Sequence, residues 1–318
     1  MNQALRAFEQ CPGCGAATSN AKCLFKIFFL GQDCQVFQCS YCSLVYKEFA
    51  PIASELAKIY SDDYVHFKMA SLAIDRAELN SAKQKIDRCQ KLLCTEKAPE
   101  NLRLLDIGCG AGYFVEIALS LGYFAEGIDP YLPDNLKNSC LQKKSPDSVS
   151  PNSYDIAFLL NVVEHLDEPI HIFSAVQRLL KPGGVMLLTC PYGDSLARRY
   201  YQGYWGHLAL DEHILFWTPR ALTGLLRELG FRGKISYRIA GSPFPYGRVK
   251  LPTVVPKLIE NYEQRCFENT NNSRSLSEQV WQLARTIQRQ EGIANLVRYI
   301  VHLTHTGDYL EYAISVGK

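Results

Sequence analysis

Apolar positions follow two rhythms along this chain, and the change between them marks its parts. Residues 24–30 (LFKIFFL) and 34–39 (CQVFQC) are short runs rich in aromatic and aliphatic side chains, bounded by Gly31 and Asp33. They predict two strands of a hairpin. Residues 76–94 are good helix formers with apolar positions at Leu79, Ile86, Leu92 and Leu93, which predicts a helix. From about residue 102 strand and helix patterns alternate. LRLLDI leads to a helix over 112–121 that stops at Gly122, and YFAEGI leads to a stretch, 130–150, with no clear period. YDIAFLL (154–160) leads through the loop NVVEHL to a helix over about 168–180. The turn KPGG (181–184) precedes the strand VMLLTC. Thr218 reads as a helix N-cap, Pro219 as the first helical residue and Gly230 as the stop. KISYRIA (234–240) closes the series. Such alternation predicts a parallel sheet covered by helices.

The end of the chain, YLEYAISVGK, alternates as an antiparallel strand does. Between it and residue 240 lies a long tract that opens rich in proline and glycine and continues with helical patterns near 254–267 and 276–303. In LARTIQRQEGIANLVRYIVHL, Leu283, Ile287, Ile293, Leu296, Ile300 and Leu303 suit one apolar helix face. The expected divisions are residues 1–50, a small N-terminal module; 51–98, a connector and leading helix; 99–240, the α/β core; 241–308, a mainly helical insertion serving as cap or subunit contact in a homodimer; and 309–318, the final core strand.

Composition narrows the setting. At 318 residues, 47% hydrophobic and 21% charged, the chain suits a full globular core with additions. A net charge of +2 is no footprint for nucleic acid. No apolar segment follows Met1 as in a secretory signal, and none reaches the ~20 residues of a membrane helix, so a cytoplasmic protein with no membrane contact is expected. Twelve cysteines in such a chain predict thiols or metal ligands rather than disulfides.

Two CxxC pairs, Cys11–Cys14 and Cys39–Cys42, stand 24 residues apart. Each such turn can aim two thiolates at one ion, so Cys11, Cys14, Cys39 and Cys42 predict a closed, structural zinc site in a zinc ribbon. A ribbon this small draws much of its stability from the metal.

LLDIGCGAG (104–112) is a strand end followed by a turn with Gly108, Gly110 and Gly112. Glycines there let a ligand approach the backbone. The spacing GxGxG differs from the GxGxxG that cradles a pyrophosphate, and Asp106 would repel one. A cofactor with cationic groups fits better. Asp129, at the end of the next strand, is placed to hydrogen-bond a ribose.

In order, the CPxCG…CxxC module, DIGCGAG, an acid after the second strand, Glu164-His165-Leu166 after the fourth and KPGG before the fifth resemble the zinc-ribbon-bearing branch of class I S-adenosylmethionine-dependent methyltransferases. The core is similar to ubiquinone-type O-methyltransferases, with relatives in deoxysugar, polysaccharide and natural-product pathways. The resemblance covers residues 11–240 and the last strand. It implies a Rossmann-like, doubly wound α/β sheet with an antiparallel last strand. It also implies S-adenosylmethionine held by Asp106, Gly108, Gly110, Gly112, Asp129 and Asn161, and a small-molecule acceptor, most simply an oxygen nucleophile on a sugar, nucleotide-sugar, polysaccharide or natural-product intermediate.

Methyl transfer to oxygen gains from a base within hydrogen-bond reach, most often histidine. His213 is the leading candidate and His207 the second, both in the aromatic segment YWGHLALDEHILFWTP, with His165 after the fourth strand the third. Asn161 rather than an acid opens Asn161-Val-Val-Glu164-His165, so no catalytic metal is expected. Two other functions compete: an RNA methyltransferase gripping its substrate with the ribbon, against which the charge argues, and a silent cofactor-binding module, against which the intact glycine turn argues.

Overall fold

The computed structural model describes residues 4–61, 76–93, 97–134, 136, 138–209, 211–240 and 307–317. The expected helices of the 241–306 tract lie outside the described residues.

The N-terminal module contains β1 (Leu5–Ala7), β2 (Ala21–Phe29), β3 (Gln32–Cys39), β4 (Val45–Lys47) and β5 (Phe49–Pro51). β2 and β3 form the expected hairpin, closed by Leu30 and Gly31, both at positive φ (43° and 88°). Two such residues match the right-handed twist of the flanking strands. α1 (Ala53–Ile59) and α2 (Arg76–Gln90) lead into the core.

The core elements follow as β6 (Arg103–Ile107), α3 (Tyr113–Ser120), β7 (Phe124–Ile128), β8 (Leu141–Gln142), β9 (Tyr154–Leu160), α4 (Pro169–Leu179), β10 (Leu180–Pro191), α5 (Leu196–Tyr201), β11 (Leu215–Phe216), α6 (Pro219–Glu228), β12 (Ile235–Ala240) and β13 (Tyr309–Ser315). Seven strands make one sheet in the order β12-β13-β10-β9-β6-β7-β8. β6 pairs in parallel with β7 and β9, and β9 with β10. β13 runs antiparallel between β10 and β12, as expected for the last strand. This is the Rossmann-like, doubly wound architecture with an antiparallel last strand that the resemblance implies.

Alternate residues of the sheet serve its two faces. Leu105, Leu159, Met186 and Leu188 share a core with Phe173 and Val176 of α4 and with Leu222 and Leu225 of α6. Leu104, Ile156, Phe158 and Leu187 share the other with Ile86 of α2 and Val115 and Ala118 of α3. Both faces of the parallel strands are thus dry, which is why these strands read as continuous apolar runs.

Three details differ from the sequence reading. KPGG is not a turn before a strand: β10 runs from Leu180 through it, with a register shift between Leu180 and Val185 that absorbs the glycines as a bulge. The third core strand is only the two-residue β8, too short for any hydrophobic period to reveal. The hairpin module is also not separate. β11, from the stretch after the fifth core strand, pairs antiparallel with β4 and completes a four-stranded sheet, β11-β4-β3-β2. Cys11, Cys39, Leu44 and Tyr46 of the module lie in the same core cluster as Trp217 and Leu222.

Candidate active site and four-cysteine centre

In open α/β sheets ligands bind beyond the carboxyl ends of the strands. Asp106 is the penultimate residue of β6. The turn after that strand puts Gly108, Gly110 and Gly112 at φ of 71°, 52° and 83°. Gly108 shows why a side chain is barred: a Cβ there would stand 2.6 Å from Val162 Cγ2. Gly108 N–H donates to Ile128 O at 2.8 Å, stitching the turn to β7. Asp129 follows β7 at once. Its carboxylate accepts from Gly110 N at 3.1 Å and from Tyr131 N at 2.8 Å, so it braces the glycine turn while keeping lone pairs for a ligand.

Asp106 is buried, and its Oδ1 has no hydrogen-bond partner among the described residues. Burial, with the charge of Asp129 second, pushes its carboxyl up to about 8. Burial raises Asp129 as well, opposed by the two backbone donors. Two buried acids at a glycine turn, one of them with an unpartnered oxygen, form a pocket that favours a cation and disfavours a phosphate.

Asn161 follows β9 in left-handed backbone (φ 58°), its N–H donating to Thr189 O at 2.9 Å and its Oδ1 accepting from Thr189 Oγ1 at 3.2 Å. The loop then turns inward. Glu164 O accepts from both Ile214 N and Leu215 N, at 2.9 and 3.0 Å. That pairing brings the Glu164-His165 loop against His213, although nearly fifty residues separate them in sequence. The rings of His165 and His213 lie 4.9 Å apart, and those of His207 and His213 5.9 Å. The three histidines singled out in the sequence therefore form one cluster.

Their surroundings differ. His213 is buried, and burial, followed by the charges of His165 and His207, holds its imidazole well below the usual range. His213 Nδ1 lies 3.1 Å from His207 O, which fixes the proton on that nitrogen. His165 Nδ1 lies 2.9 Å from Tyr60 Oη, and Tyr60 stacks on Tyr131 at 4.7 Å. His207 Nε2 lies 3.7 Å from Asp308 Oδ2. Tyr131 and Asp308 belong to no motif of the sequence, and Tyr60 falls within the 51–98 connector. Tyr131 sits two residues past Asp129, a signal that could have marked it, whereas nothing local marks Asp308.

Glu164 is fully buried, with neither carboxylate oxygen hydrogen-bonded among the described residues. Burial pushes its carboxyl up to about 8, with its own backbone N–H opposing and Glu212 adding repulsion.

The four cysteines converge as predicted. Sγ atoms of Cys11 and Cys42 lie 3.6 Å apart, as do those of Cys14 and Cys39, and all four lie within 4.8 Å of one another. Sulfurs about 2.3 Å from one tetrahedral ion stand roughly 3.8 Å apart, so the set fits a closed four-thiolate site. Gly15 and Ser43, at φ of 68° and 70°, complete the two knuckles.

Residues 76–234, half of the chain, match the family described as "Methyltransferase domain". The chain belongs to that family. Ubiquinone biosynthesis O-methyltransferases are similar to it in sequence. That of Cereibacter sphaeroides (strain ATCC 17029 / ATH 2.4.9) is 27% identical over 150 residues, and that of Dinoroseobacter shibae 28% over 149. Each match covers 41% of this chain and spans only 60% of the relative. Among solved structures, a SAM-dependent methyltransferase from Archaeoglobus fulgidus covers 74% of this chain and 94% of its own, at 18% identity and TM-score 0.44. Phosphoethanolamine N-methyltransferase 2 of Haemonchus contortus covers 92% and 71%, at 14% identity and TM-score 0.47. No helix among the described residues is long and apolar enough to cross a membrane.

Proposed function

We propose that this protein transfers a methyl group from S-adenosylmethionine to a hydroxyl of a small-molecule acceptor of the sugar, nucleotide-sugar, polysaccharide or natural-product class. The observation that carries the reading is the meeting, at one edge of the sheet, of a glycine turn, two buried acids and a histidine cluster. Asp129 would hold the ribose, Asp106 would face the cationic methionyl end, and Gly108 to Gly112 would let the cofactor lie against backbone. Asn161, beyond β9, would border the transferred methyl.

In the reaction the acceptor oxygen attacks the methyl carbon. The carbon–sulfur bond breaks with its electron pair going to sulfur, and the acceptor proton must leave. The sulfonium is already a good leaving group, so alignment can supply much of the rate. The proton goes to the histidine cluster. His213 would become a charged ring in a dry setting, which burial opposes. His207 has the carboxylate of Asp308 as counter-charge, and we assign it the proton. His165 and His213 then line the acceptor side. Four thiolates at this spacing would hold a structural zinc ion.

Calorimetry with S-adenosylmethionine, followed by transfer of a labelled methyl group to a panel of hydroxylated acceptors, tests the reading. Micromolar-range binding is expected. His207→Ala should lower turnover by about 10²–10⁴ with cofactor affinity unchanged. Absence of cofactor binding by the folded protein would sink the proposal. Salt-sensitive RNA binding with methyl transfer to RNA would replace the small-molecule acceptor.

A further inference from the structure

Glu164 has no role in the chemistry just described, yet its burial is costly. It is fully buried, and both of its carboxylate oxygens lack a hydrogen-bond partner among the described residues. A buried acid in this state normally has a cation or a donor beside it. The rings of His165 and His213 stand beside it, and one ligand atom from each of the three residues lies within 4.8 Å of the others.

We propose that Glu164, His165 and His213 bind a divalent transition-metal cation at the carboxyl end of β9. The inference rests on the functional reading above only for the role of the ion, not for its binding.

The hydrogen bond of His213 to a carbonyl is that of a ligating histidine. A histidine bound to a metal almost always gives its other ring N–H to a carbonyl, carboxylate or water, which fixes tautomer and orientation. His213 Nδ1 meets His207 O at 3.1 Å, so its lone pair is on Nε2, across the ring. His165 Nδ1 meets Tyr60 Oη at 2.9 Å. Donors on one ion about 2.0–2.2 Å away stand roughly 3–3.5 Å apart, so the trio, within 4.8 Å, need draw in by at most about 1–2 Å.

The donor set also selects the ion. Magnesium and calcium take oxygen ligands, whereas two imidazoles and one carboxylate suit manganese, iron, cobalt, nickel or zinc. One carboxylate leaves a divalent ion with residual positive charge, and three ligands leave positions open for an acceptor oxygen. Coordination there would ease loss of the acceptor proton to His207, whose ring lies beside His213 and faces Asp308. The trio differs in kind from the four cysteines, whose soft thiolates disfavour manganese.

That difference gives the experiment. Full-length protein with its four-cysteine site filled by zinc is titrated with Mn²⁺ and followed by electron paramagnetic resonance, in which bound ion leaves the free-ion signal. The wild type should take up one Mn²⁺ per chain, and Glu164→Gln should bind it at least about tenfold more weakly. Glu164→Gln removes the charge but keeps the shape, and near-ultraviolet circular dichroism reports whether it folds. Should it not fold, zinc-edge X-ray absorption of zinc-saturated wild type decides: sulfur together with nitrogen or oxygen ligands is expected. A sulfur-only shell with no Mn²⁺ uptake would overturn the proposal, as would wild-type Mn²⁺ affinity in folded Glu164→Gln. Mn²⁺ uptake by a protein that fails to bind S-adenosylmethionine would support the cation site while overturning the functional reading.

Discussion

Replacing Cys39 by serine should weaken the catalytic core, not merely loosen the N-terminus. A separable ribbon would confine the damage to residues 1–50. The structure joins the two parts through backbone and core. β4 is the central partner of β3 and β11, and Lys47 N–H donates to Ile214 O at 2.9 Å, directly after His213. Trp217 is fully buried in the shared core, and a Cβ on Gly13, inside the first cysteine knuckle, would lie 3.6 Å from its ring. If loss of the metal frees the knuckle and exposes half of a tryptophan's ~150–250 Å², at ~25 cal/mol/Å² the cost is about 2–3 kcal/mol. For a domain of this size that is a fall in Tm of roughly 4–12 °C. The assay is thermal unfolding of Cys39→Ser, and of wild type with and without a zinc chelator, each paired with S-adenosylmethionine calorimetry. The glycine turn is stitched to β7 through Gly108 N–H and Ile128 O rather than to the ribbon, so cofactor affinity should change little below the transition while turnover falls as the 213–217 segment loosens. An unchanged core transition and unchanged turnover in a zinc-free protein would refute the coupling.

This coupling was the least legible part of the chain. β6, β7, β9, α4, α6 and β13 announce themselves through apolar runs, caps and alternation, because each is long enough to carry a period and buried on a continuous face. The Asp106 to Gly112 turn and the cysteine pairs are local motifs whose chemistry is set by spacing, so their places could be read directly. β11 and β8 are two residues each, too short for any period. The histidine cluster was half legible. Local composition marked His207 and His213 as a group, but their meeting with Glu164 and His165 depends on the backbone pairing of Glu164 with Ile214 and Leu215. Asn161 in place of an acid argues against a catalytic metal, and the proposed cation site departs from that expectation by drawing one donor, His213, from a second loop that spacing along one loop does not reveal.

Three further outcomes follow from the cofactor side. Gly108→Ala should lose about 2–5 kcal/mol, from the positive φ of 71° and the contact with Val162; denaturant unfolding reads it, and adding Val162→Ala should recover only the packing share. Asp129→Ala should weaken S-adenosylmethionine binding several-fold or more, at about 0.5–1.5 kcal/mol for each hydrogen bond lost, and unchanged affinity would remove Asp129 from the site. The last concerns Asp106, whose buried carboxyl is pushed up to about 8. In the unfolded chain it ionises near its ordinary value of about 3.9. Between those values the folded protein holds a proton that the unfolded chain has shed. Stability of the cofactor-free protein therefore falls as pH rises from about 4 to about 8 and levels off above. A cationic ligand reverses the preference, because an ammonium beside Asp106 favours the ionised carboxylate. Binding below about pH 8 should then expel a proton, and affinity should climb by up to about tenfold per pH unit. Calorimetry in buffers of different ionisation enthalpy counts that proton, and Asp106→Asn should abolish it. A wild type that binds S-adenosylmethionine with no proton released and no change in affinity between about pH 6.5 and 7.5 would show that Asp106 does not face the cofactor's charge.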